Sequence, residues 1–134
     1  MPPEYPAPHI TRIKILDSLI FLAGLFILAY PAIHNFYPGD IDTTVHVALG
    51  CLITVCAAFR VLVAYGSAWL EIVLIVLGLI TYRLPHFMHM QWNDHYALAH
   101  LIAGVAIIAL ALISALLTFS QLRKLAPTPT EPRA

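Results

Sequence analysis

Apolar residues run along the chain in four long blocks, 12–31, 43–65, 67–84 and 94–121, separated by short stretches that hold polar residues and prolines. A helix needs about 20 apolar residues to cross a bilayer, with a working range of about 17 to 25. Each block meets that length. The blocks are continuously apolar, whereas a membrane barrel strand alternates with a period of two, and two hairpins could not close a barrel. The pattern therefore predicts an all-α membrane protein of four transmembrane helices. The third block is the shortest and the fourth the longest, so the helices should tilt differently. Residues 1–11 and 122–134 are polar and Pro-rich, which predicts unpacked tails. The first block is long enough to span and lacks a small-residue cleavage site, so it reads as a retained helix rather than a signal peptide.

Sliding the chain against itself by 54 residues pairs Asp17 with Glu71, Gly24 with Gly78, Pro31 with Pro85, Asp40 with Asp94, His46 with His100 and Gly50 with Gly104. Matches among Leu, Ile and Ala carry little weight in so apolar a chain; matches at Gly, Pro, Asp and His need another reason, and duplication supplies it. Residues 12–65 and 66–121 thus read as two tandem helical hairpins. Asp17, Gly24 and Pro31 recur every seven residues and share a helix face, as do Glu71, Gly78 and Pro85. On the returning helices His46, Gly50, Ile53 and Ala57 form one stripe and His100, Gly104, Ile107 and Ala111 its counterpart. Small residues on such stripes let membrane helices approach closely, which marks Gly24, Pro31, Gly50, Gly78, Pro85 and Gly104 as structural positions. Each hairpin crosses twice, so the second re-enters in the orientation of the first. The two units are parallel, related by a pseudo-two-fold axis along the membrane normal, and His46 and His100 must lie at equal depth.

These residues resemble the SPW-repeat family of small bacterial membrane proteins, in which a two-helix unit with a proline closing its first helix is duplicated. The similarity covers about residues 12–119. The Ser-Pro-Trp motif stands here as Tyr30-Pro31-Ala32 and Leu84-Pro85-His86, and Trp69 matches a Trp that tends to open a unit. Where the family would carry Asn on the returning helix, this chain has His46 and His100. The resemblance implies a four-helix architecture and a bacterial inner membrane, and it supplies no catalytic residues.

Composition agrees with burial in lipid: 60% of residues are hydrophobic and 10% charged, and the mean hydropathy is +0.84. A zero formal charge offers no basic field for nucleic acid. Arg12 and Lys14 precede the first block, Arg60 lies near the end of the second, and Arg123 and Lys124 follow the fourth. Arg83 alone lies near the other connections. By the positive-inside rule both termini should be cytoplasmic. Cys51 and Cys56 sit about 140° apart around one helix, which excludes a mutual disulfide and leaves them as packing residues.

The segment PHFMHMQWNDHYALAH is the densest in chemistry. Its His86, His89 and His95, with Met88 and Met90, could ligate copper, or zinc through imidazole alone, with His34 of the first unit nearby. The spacing fits no established ligand signature, and His, Trp and Tyr are ordinary at a bilayer interface. His46 and His100 lie a turn inside their helices. Facing the axis, they could hold haem or a chlorophyll-type pigment; otherwise each hydrogen-bonds a neighbouring helix, Asp42 or Tyr96. Asp17 and Glu71 lie inside the span, where Lys14 or Arg60 could neutralise them as paired structural charge; a proton relay is the alternative. There is no phosphate-binding Gly-rich loop, nucleophile elbow or HExxH motif, so an enzyme is not expected. Three functions stay open: an accessory subunit packed against a larger respiratory or photosynthetic membrane complex or against its own copies, a cofactor-binding electron-transfer protein, and a small channel or transporter.

Overall fold

The computed structural model describes residues 7–33, 41–63, 67–88 and 95–125, with side chains throughout except at 7–10, 42, 121, 122, 124 and 125. These residues form α1 (Ala7–Ile33), α2 (Ile41–Leu62), α3 (Ala68–Phe87) and α4 (His95–Leu125). Each helix contains a segment long and apolar enough to cross a membrane: Thr11–Ile33, Thr43–Leu62, Ala68–Phe87 and His95–Ser120. The chain is an all-α integral membrane protein. Consecutive helices pack against each other and α1 closes the ring against α4, so among the described residues α2 and α4 stand on one diagonal and α1 and α3 on the other.

The prolines do not end their helices where the apolar blocks end. Pro31 and Pro85 both lie inside, and each helix runs two residues further, to Ile33 and Phe87. A proline forfeits one N–H and crowds the carbonyl four residues back, so each of these helices gives up one backbone hydrogen bond in its last turns. The Met88 N–H then closes α3 by donating to the Leu84 carbonyl at 3.0 Å.

The two hairpins have the same internal packing. A Cβ added at Gly50 would fall 2.6 Å from the backbone nitrogen of Leu28, and one at Gly104 would fall 2.6 Å from that of Tyr82. Gly24 faces Ile53 and Thr54; Gly78 faces Ile107 and Ile108. Every one of these partners shifts by the same 54 residues as the glycines themselves. Hydrogen at these four positions lets backbone touch backbone, which supplies dispersion contact where lipid offers no hydrophobic drive to associate.

The stripes identified in sequence face inward. Ile53, Ala57, Ile107 and Ala111 are fully buried and join Ile20, Ile27, Leu49, Leu74, Leu84 and Ala103 in one apolar core. Leu22, Val55, Val76 and Leu116 represent the outer surface, exposed and apolar on every helix.

Candidate functional site

Polar side chains gather on the central axis in two layers. The first lies toward the end of the bundle where α1 begins and α4 finishes. Arg60 reaches inward from the last turn of α2, Glu71 from the first turn of α3, Asp17 from α1, and Ser114 and Thr118 from α4. Asp17 and Arg60 are 0% exposed and Glu71 is 1% exposed. Charges removed this far from water need partners.

Glu71 has them. Its Oε1 accepts hydrogen bonds from Arg60 Nη2 at 2.9 Å, Thr118 Oγ1 at 2.9 Å and Ser114 Oγ at 3.2 Å. Ser114 Oγ also accepts from Arg60 Nη2 at 2.9 Å. The single Thr118 hydroxyl proton is divided between Glu71 and the Ser114 carbonyl, 3.0 Å away. Asp17 is held differently. Its Oδ1 lies 3.2 Å from the same Arg60 Nη2, close enough for an ion pair, yet the N–H does not point at it. Among the described residues neither Asp17 oxygen accepts a hydrogen bond, and Arg60 Nε and Nη1 find no acceptor.

The duplication explains who meets whom. Asp17 and Glu71 are counterparts in the two units, and so are Arg60 and Ser114, which lie 54 residues apart and touch across the axis. One arginine serves both pseudo-equivalent carboxylates. Of the two cations considered from sequence, Arg60 takes the central place, while Lys14 is exposed on α1. Sequence reading missed Ser114 and Thr118. The signal was available in the repeat, because the position matching Arg60 is polar, and Thr118 stands one turn further along the same face.

The second layer lies near the opposite end, about 21 Å along α2 from the first at about 1.5 Å per residue. His46 and His100 converge there, their ring centroids 3.8 Å apart and their planes tilted by 58°. Both are buried. The Tyr96 ring meets His46 edge to face at 5.1 Å, and Tyr30 meets Tyr96 at 5.3 Å. The Tyr30 hydroxyl donates to the His95 carbonyl at 3.0 Å, tying the first unit to the second. Tyr96, expected beneath His100 on its own helix, thus contacts the histidine of the other unit; the Asp42 side chain lies outside the described residues. Neither ring nitrogen of His100 has a hydrogen-bond partner among the described residues.

Two bonds of about 2 Å to one iron place the ligating nitrogens about 4 Å apart and the ring centroids farther still. The two imidazoles lie closer than that. A tetrapyrrole between them would require the rings to separate. Between the two polar layers the axis is filled by Ile20, Ile53, Leu74 and Ile107, all fully buried.

Among the described residues, the histidines at the helix ends, His86 and His95, do not gather in the same way. His86 is exposed and its ring meets Phe87 at 6.3 Å. His95 is exposed at the start of α4, and Met88 is half-buried against the core. His34, His89 and Met90 lie outside the described residues. Among the described residues no three His, Cys, Asp or Glu side chains are grouped to hold a metal ion. Cys51 is exposed and Cys56 half-buried, both as free thiols.

A family model described as SPW repeat domain matches residues 14–114. Neither a curated protein nor a solved structure matches the chain.

Proposed function

The chain belongs to the SPW-repeat family, and from that premise we propose that it is a non-enzymatic accessory subunit packing beside a larger membrane complex, with both termini in the cytoplasm. One observation carries this reading. The buried charges are turned onto the axis and paired there, which leaves the outer surface of all four helices to apolar side chains suited to helix packing.

A hydrated path would have to pass the dry layer at Ile20, Ile53, Leu74 and Ile107, which counts against the channel or transporter reading. The cofactor reading keeps one observation in its favour, the meeting of His46 and His100 at the axis.

The test is photo-crosslinking in native membranes from single probes at Leu22, Val55, Val76 and Leu112, one exposed position per helix. Adducts to a different, larger membrane protein confined to one or two of these positions are expected. Adducts to lipid alone at all four positions, or only to a second copy of this chain, would overturn the reading. A visible absorption band in the same native preparation would favour the cofactor reading instead.

A further inference from the structure

Charge counting in the first polar layer leaves a remainder. One guanidinium faces two carboxylates, and all three groups are sealed from solvent. With both acids ionised the cluster would hold one uncompensated negative charge inside the membrane, a state far costlier than a neutral one. Two carboxylates that share a site settle this by keeping one proton between them. Among the described residues the groups facing the cluster supply no second positive charge: α2 contributes Arg60, α3 Glu71, and α4 the neutral hydroxyls of Ser114 and Thr118. On α1 itself, Lys14 lies about one turn before Asp17 and is exposed.

Hydrogen bonding distinguishes the two acids. Three donors converge on Glu71 Oε1, an arrangement that favours a carboxylate. Neither Asp17 oxygen accepts a hydrogen bond among the described residues. We infer that the Asp17–Arg60–Glu71 cluster is a proton-binding site that holds one exchangeable proton on Asp17 at neutral pH. The step is one proton transfer: a hydronium ion of the solvent gives its proton to an Asp17 carboxylate oxygen, one O–H bond breaking as the other forms, and water is left behind. A metal cation fits the site less well, because the Arg60 guanidinium already occupies the space between the carboxylates.

Infrared spectroscopy of the full chain, purified in a detergent without ester groups, tests this directly. The wild type at neutral pH should show a carboxylic-acid C=O stretch that moves to lower frequency in D2O. Asp17→Asn should abolish the band. Glu71→Gln should abolish it too, because Asp17 is then the only acid facing Arg60 and ionises. Absence of the band in the wild type would overturn the inference, and thermal stability that rises specifically with sodium would then assign the missing charge to a metal ion. A band that survives Asp17→Asn would also overturn it. The wild-type spectrum decides the matter even if a variant fails to fold.

Discussion

Arg60 is the residue on which the interior depends. Removing one partner of a buried ion pair leaves the other charge without compensation, which costs about 3–5 kcal/mol. Arg60→Ser strands the Glu71 carboxylate in this way, so it should lower thermal stability in detergent by a margin of that size. The duplication adds a sharper expectation. Ser114 is the counterpart of Arg60 and touches it across the axis, so a guanidinium entering from α4 should reach the same two carboxylates. Adding Ser114→Arg to Arg60→Ser should restore most of the lost melting temperature, whereas Ser114→Arg alone should not stabilise. If the double variant melts no higher than Arg60→Ser, the pseudo-symmetric account of the cluster is wrong. The acids at 17 and 71 and a basic candidate at 60 could be read from the chain. Their shared geometry could not, because no local pattern specifies which of two nearby cations reaches across four helices.

Within each hairpin, the contact between two helices rests on glycines whose neighbours differ in how readily they can yield. Gly50 and Gly104 lie against the backbones of Leu28 and Tyr82, and backbone in a helix cannot step aside. Gly50→Ala and Gly104→Ala should each destabilise the bundle by about 1–3 kcal/mol through overpacking. The closest atom to an added Cβ at Gly24 is the Thr54 hydroxyl at 2.7 Å and at Gly78 the Ile108 side chain at 2.9 Å. Part of that strain can relax by side-chain movement, so Gly78→Ala should cost less than Gly104→Ala. Equal melting temperatures for wild type, Gly50→Ala and Gly104→Ala in detergent would exclude the close contact. The element boundaries show where sequence reading fell short: it ended the first helices at the prolines, while the helical backbone of both continues to Ile33 and Phe87.

For the whole molecule, an even number of spans puts both termini on one side, and the basic residues near that end are the ground for the proposal that this side is the cytoplasm. With Cys51 and Cys56 replaced by Ala, single cysteines at Ile33 and Phe87 should react with an impermeant thiol reagent added outside intact cells. A single cysteine at Arg123 should react only after lysis. Labelling of the Arg123 position in intact cells would reverse the orientation. The four spans, the 54-residue repeat and the inward stripes were legible in the chain alone, because each is written in hydropathy or in spacing along one helix, and a lipid environment leaves such helices no other backbone structure. That Arg60 joins Asp17 to Glu71, and that the two histidine rings meet, emerges with the packed bundle. Both arrangements form across the bundle's diagonal, where outcome depends on how four helices rotate and how far their side chains reach. A periodicity fixes which face is buried, but it does not fix which atoms meet once that face is closed.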